Sequence, residues 1–325
     1  MTGRRIRIGT SGWHYPGGDG AWDGIFYPPR GRRHRPPGFD ELEYYARHFD
    51  TVEVNSTFYG VPRRAVTAAW ADRTPDDFAF AVKLYQQFTH PKMFTAATGN
   101  SKNAKAERGD VDRFLEAIVP LHEAGKLGAL LAQFPASFKN DAAAHDHLAW
   151  LIEALSDCPV AVELRHRSWS DDVAGTLRLL NGLGAAWVQI DEPKFRLSIA
   201  QNHLPNVESF CYMRLHGRNA RKWWRHDRAE ERYDYHYSPA ELQPFRDTAD
   251  AAARLVKRLY LYMNNHFAAK AVANAATLKH QLGLEVGGAW REEMVMRYPE
   301  LEGVVRTVPD ATAPLLPAGE PPARE

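Results

Sequence analysis

Four acid–base side chains in this sequence are candidates for chemistry: Glu53, Glu163, Asp191 and His216. Each sits in or at the end of a short segment that alternates apolar and polar residues. Two carboxylates across a pocket divide acid and base work when burial or a nearby cation separates their pKa values. Lys83, Arg165 and Arg214 occupy similar segments, where they would hold one carboxylate ionised or clamp an anionic group. Glu163 is thus the candidate base or acid and His216 its partner, with Asp191 and Glu53 completing the catalytic set. The bland alternative is a charge-matched buried network, since the same cations balance the same carboxylates.

Around these groups stand residues suited to hold a hydroxylated substrate. Asn55, Gln133, Asn264 and Asn265 supply neutral donors and acceptors, while Trp13, Tyr15, Tyr59 and Trp169 follow strand-like segments and could wall a pocket. Arg218 adds a cation after His216. Glu53, Glu163, Asp191 and His216 could in principle converge on a divalent ion, but the interleaved Lys83, Arg165 and Arg214 already neutralise them, so neither metal nor other cofactor is expected. No HExxH, P-loop or GxSxG motif occurs. Residues 214–232 carry seven basic against three acidic side chains, interleaved with Trp223 and Trp224. That composition suits phosphate or single-stranded nucleic acid, and equally a solvated charged lid.

The elements that must position these residues follow from hydrophobic period. Strand-like segments run over 5–10, 51–57, 78–83, 127–134, 160–165, 186–191, 210–216 and 259–264, separated by helix-type stretches. Asp40, Asp110 and Ser238-Pro239 are start signals for three of those helices. Strand–helix repetition of this kind predicts an α/β fold, a single (β/α)8 TIM-type barrel with its active-site mouth at the C-terminal ends of the strands. In such a barrel the apolar parity of each strand faces the helices and the other parity faces inward. Val52 and Val54 then turn Glu53 and Asn55 inward, Val162 and Leu164 turn Glu163 and Arg165 inward, and Val188 and Ile190 turn Gln189 and Asp191 inward. Lys83, Gln133, Arg214, His216 and Asn264 follow by the same rule, all late in their strands.

Composition agrees with one large core. The chain has 325 residues, 41 Lys plus Arg against 40 Asp plus Glu, and 44% hydrophobic content, which excludes a disordered or collagenous chain and does not require global polyanion binding. Cys158 and Cys211 stand far apart without a metal-ligand pattern and read as reduced thiols. No signal-peptide run or membrane-length apolar stretch is present, so a cytoplasmic protein without membrane partners is expected. Residues 1–308 are read as the barrel and 309–325, with five prolines, as a disordered Pro/Ala-rich tail. Oligomeric state is not legible.

The ordered motifs Gly9-Thr-Ser-Gly-Trp13-His-Tyr15, Trp22-Asp-Gly24, Phe26-Tyr-Pro28, Thr51-Val-Glu-Val-Asn-Ser-Thr-Phe-Tyr59, Phe80-Ala-Val-Lys83, Thr89-His90, Gln133-Phe-Pro135, Val162-Glu-Leu-Arg-His-Arg-Ser-Trp169, His216-Gly-Arg218 and Asn264-Asn265 resemble the family called domain of unknown function 72, the YecE-like proteins. The resemblance spans about residues 6–282 and implies a TIM-type barrel, with no reaction assigned. Departures from the usual pattern fall at Pro16 to Ala21 and at the basic stretch Arg30 to Arg35. The expected function is acid–base hydrolysis, lysis or isomerisation of a small anionic, hydroxyl-bearing substrate, such as a sugar phosphate or nucleotide-like compound. The rivals are a nucleic-acid phosphodiesterase or repair enzyme using 214–232, and a non-catalytic ligand-binding barrel.

Overall fold

The structure, a computed structural model, describes residues 6–31, 35, 37–99, 105–200 and 205–308. The expected tail, 309–325, and part of the basic stretch after Arg30 lie outside the described residues. Nine parallel strands form one sheet: β1 (Ile6–Ser11), β2 (Thr51–Val54), β3 (Ala79–Lys83), β4 (Leu127–Gln133), β5 (Val160–Glu163), β6 (Ala186–Trp187), β7 (Gln189–Asp191), β8 (Phe210–Leu215) and β9 (Arg258–Met263). Their order is β6-β5-β4-β3-β2-β1-β9-β8-β7, so the sheet curls until its two edges are consecutive pieces of chain.

This nearly closed barrel differs from the expected eight-stranded one at the sixth strand, which is split at Val188. β6 pairs with β5 through Ala161–Ala186 and Val162–Trp187, whereas β7 pairs with β8. At the split, the Trp187 amide donates to the Asn206 side-chain oxygen at 2.7 Å, so a loop residue caps the edge there. Val188 still donates to Val162 O at 3.0 Å.

Residues paired in register point to the same side of a sheet. The ladder therefore assigns the faces directly: Ser11 pairs with Glu53, Glu53 with Ala81, Lys83 with Leu131, Gln133 with Glu163 and Arg214 with Tyr262. These line the interior. The other parity, including Val52, Val54, Phe80, Val82, Leu130, Val162, Leu259 and Leu261, is buried under the helices. Gly9 belongs to the interior set because it pairs with Tyr262, and a Cβ there would meet the Thr51 carbonyl oxygen at 2.2 Å.

Helices start where side chains satisfy their free amides. Asp40 accepts from the Leu42 and Glu43 amides before Glu41–Ala46, and Ser238 with Glu241 forms a capping box before Pro239–Ala253. The Arg108–Glu123 helix begins three residues earlier than expected, because Glu107 takes the cap and Asp110 answers from the third position. Cys158 and Cys211 are free thiols, and no described helix is long and apolar enough to cross a membrane.

Candidate functional site

At mid-height the barrel interior is filled by a buried ion network centred on Arg214. Its Nε and Nη2 donate to the two Glu53 carboxylate oxygens at 2.8 and 2.7 Å, and its Nη1 donates to Glu163 Oε2 at 2.5 Å. One inward step lower on β8, Tyr212 donates its hydroxyl to Glu53 at 2.7 Å. On the mouth side Arg165 Nε donates to Glu163 Oε1 at 2.7 Å. Arg214 is 1% exposed and both glutamates 0%, so these charges stabilise one another in place of water. Burial by itself would raise the Glu163 pKa, but Arg214 and Arg165 outweigh it and hold the carboxyl well below its usual range.

His216 joins the network from the end of β8, with Nε2 3.5 Å from Glu163 Oε1 and Nδ1 accepting from Asn264 Nδ2 at 2.7 Å. Burial drives its pKa down to about 3, helped by Arg165 and Arg214 against the pull of Glu163, so the imidazole is neutral. The tight turn after it needs Gly217 at φ +87°, where a Cβ would lie 2.7 Å from Tyr235 Cβ.

Above the network two cavities open side by side at the C-terminal strand ends. The first, about 370 Å3, has Lys83, Arg165 and Arg214 with Asn55, Gln133 and Asn264 toward its floor, and Tyr15, Tyr59, Tyr233 and His266 among its walls. The second, about 490 Å3, shares Tyr59, Lys83, Gln133, Arg165 and Tyr233 with the first and adds Glu192, His90 and Arg232. These volumes suit a small molecule. Lys83, at the end of β3, lies over the Phe58 ring at 4.2 Å and makes no ion pair or hydrogen bond through its amine among the described residues. Burial, reinforced by the charge of Arg214, lowers its pKa to about 7. Glu192 shifts the other way: burial raises its pKa against the pull of Arg165, whose Nη1 lies 3.4 Å from Glu192 Oε2.

The structure thus brings Glu53, Glu163, His216, Lys83, Arg165 and Arg214 together, but in two tiers. Glu53, Glu163 and His216 lie beneath the cavities and line neither, while Lys83, Arg165, Gln133, Asn55, Asn264, Tyr15 and Tyr59 face them. Asp191 is not in the mouth. It pairs in register with Leu215 while Ile190 pairs with Arg214, so the sixth strand turns Ile190 inward and Asp191 out, toward Tyr237 and Arg218. Arg218 is held there too, and Asn265 is buried against Asn274 and Tyr235. Trp13 packs edge-on against Trp70 at 5.6 Å, and fully buried Trp169 stacks on Phe138. Glu192, Tyr233 and His266 are cavity residues that sequence reasoning missed, while His90 stood only in a family-like motif and Arg232 only in the basic stretch 214–232. Glu192 is legible as the residue in step with Ile190 once that parity is taken inward.

Comparison with known proteins agrees with this architecture. Residues 7–297 match the model of the family described as protein of unknown function DUF72. The chain belongs to the DUF72 family. Its DUF72 relatives include a Thermotoga maritima protein of known crystal structure, similar at TM-score 0.73 and 33% identity over 86% of this chain and 100% of that one. A DUF72 family structure from Enterococcus faecalis, at TM-score 0.71 and 24% identity, covers 86% and 96% and shares the fold. The UPF0759 protein YunF of Bacillus subtilis is 28% identical over 87% of this chain and 96% of its own length.

In this DUF72 chain, residues 214–232 form no continuous row of available cations. Arg214 is in the core network, Arg218 pairs with Asp191, Lys222 with Glu231 and Arg228 with Asp19. Trp223 is buried, while Trp224 is 63% exposed beside Phe195. Among the described residues of that stretch, Arg221 and Arg225 are the exposed cations with no ion pair. Titration with a single-stranded oligonucleotide is therefore expected to give weak binding whose log–log salt slope is about 1 to 2 units. A slope of several units would mean that the paired cations also reach phosphates. No three His, Cys, Asp or Glu side chains are grouped to hold a metal among the described residues, since Arg214 stands between Glu53 and Glu163 and Asp191 faces away.

Proposed function

We propose that this DUF72 barrel is an enzyme performing acid–base chemistry on a small anionic, hydroxyl-bearing molecule, of the sugar phosphate or nucleotide-like kind, in the joined cavities. The observation that carries this reading is a pair of shifted groups in one cavity: the Lys83 amine lowered to about 7 and the Glu192 carboxyl raised. Opposite displacements toward neutrality are what a base and an acid need near pH 7. Arg165 and Arg232 supply positive charge to the same cavity, and the Arg232 Nε is buried without a partner among the described residues. Asn55, Gln133 and Asn264 offer hydroxyl recognition at the floor. In this scheme Glu53, Glu163 and His216 act from below by fixing Arg214 and Arg165.

Thermal-shift measurements with phosphorylated and neutral polyols test it. A phosphorylated compound at 100 times its Kd should stabilise the fold by about 2.7 kcal/mol. The gain should be lost in Arg232→Ala. Stabilisation by neutral polyols alone would remove the anionic substrate. Once a turned-over compound is found, Glu192→Gln should slow it about 10²-fold or more; a compound that binds and is always recovered unchanged would mark a binding barrel.

A further inference from the structure

We propose that Lys83 is a nucleophile that forms a covalent imine with an aldehyde or ketone carbonyl of the molecule in the joined cavities. This rests on the reading of the mouth as an anionic-substrate site and adds the reacting functional group. The first support is position: Lys83 ends β3 and lines both cavities, so its amine faces the bound molecule. The second is the absence of competing partners. Lys126, a buried lysine just before β4, donates to Ala71 O, Thr74 O and Thr74 Oγ1 at 2.6, 2.7 and 3.3 Å, which ties it to the fold. Among the described residues the Lys83 amine has only the Phe58 ring, which returns part of its lost solvation and leaves the nitrogen open to a ligand. A lysine desolvated beside another cation is the arrangement that yields a neutral, attacking amine.

Atoms balance without an oxidant. The neutral amine attacks the carbonyl carbon, forming the C–N bond while the C=O π pair moves to oxygen. One amine proton passes to that oxygen, and a protonated Glu192 carboxyl supplies a second. The C–O bond breaks and water leaves. The products are a protonated imine on Lys83 and an ionised Glu192 in the same cavity, placed to take a proton from a carbon next to the imine.

The test uses the full chain, pyridoxal 5′-phosphate as an anionic aldehyde, and sodium borohydride to reduce any imine, followed by peptide mass mapping. At pH 7, Lys83 should be labelled about tenfold or more above any other lysine, because the exposed ones are almost wholly protonated there. Its labelling should be half-maximal near pH 7 and absent in Lys83→Met and Lys83→Arg, the latter keeping the charge. Label spread over exposed lysines, with Lys83 no higher than the rest, overturns the proposal, and this readout on the unmodified chain does not depend on either variant folding. Sorbitol 6-phosphate, which has no carbonyl, separates the two levels of inference. If it binds while Lys83 stays unlabelled, the anionic site stands and the imine falls; if it does not bind and Lys83 stays unlabelled, both fall.

Discussion

Replacing Glu163 by glutamine is expected to cost the fold about 3 kcal/mol or more, measured as a lower urea midpoint at pH 7. The amide keeps the shape of the side chain but removes the charge that Arg214 Nη1 and Arg165 Nε now share at 2.5 and 2.7 Å. The Arg214 guanidinium stays out of water and recovers no solvation, while Arg165, at the cavity floor, recovers part of its own. Arg214→Met should cost more, because it leaves Glu53 and Glu163 facing each other without the cation between them. An unchanged midpoint with unchanged ligand binding, joined to a turnover loss of about 10²-fold, would instead make Glu163 the group that moves the proton.

The second large effect is on pH. His216 and His266 titrate at about 3 and about 4 in the folded chain, both lowered chiefly by burial, against about 6.5 when unfolded. The unfolded chain therefore takes up protons first. The stability these neutral imidazoles contribute is complete above pH 6.5 and is lost as pH falls toward their folded values. Near pH 5 the unfolded chain holds about two more protons on them, a slope of roughly 2–3 kcal/mol per pH unit. The depressed Glu163 carboxyl acts in the same direction but only below about pH 4.5, its unfolded value. Urea midpoints at pH 7, 6 and 5 should fall accordingly; half that slope would show that one ring is protonated in the fold, and a flat profile that both are.

How far the site could be read from sequence depended on contrast between the two faces of each strand. Glu53, Glu163 and Arg214 were legible because Val52, Val54, Val162, Met213 and Leu215 mark an apolar outer face. The sixth strand lacks that contrast. Ala186, Val188 and Ile190 fall on the interior parity, so a rule that points apolar side chains outward selects Asp191 in place of Glu192. Trp13 and Trp169 show a second limit: past a strand end, parity no longer governs direction, and both turn into the helix layer. The two-tier arrangement was also hidden. Depth along the barrel axis separates Lys83 from Glu163, and alternation reports which face a residue takes but not which of its neighbours buries it.

The plug formed by Arg214, Glu53, Glu163 and the tyrosines below it has a kinetic consequence. With Tyr212, Tyr260 and Tyr262 nearly or wholly buried beneath the network, the described residues fill the axis below the cavities, which open at the C-terminal strand ends. A molecule turned over there would enter and leave across this face, past Tyr59 and Tyr233, which line both cavities. Of two products, the one seated deeper, against Lys83 and Arg165, would be the last out and the stronger inhibitor when added back.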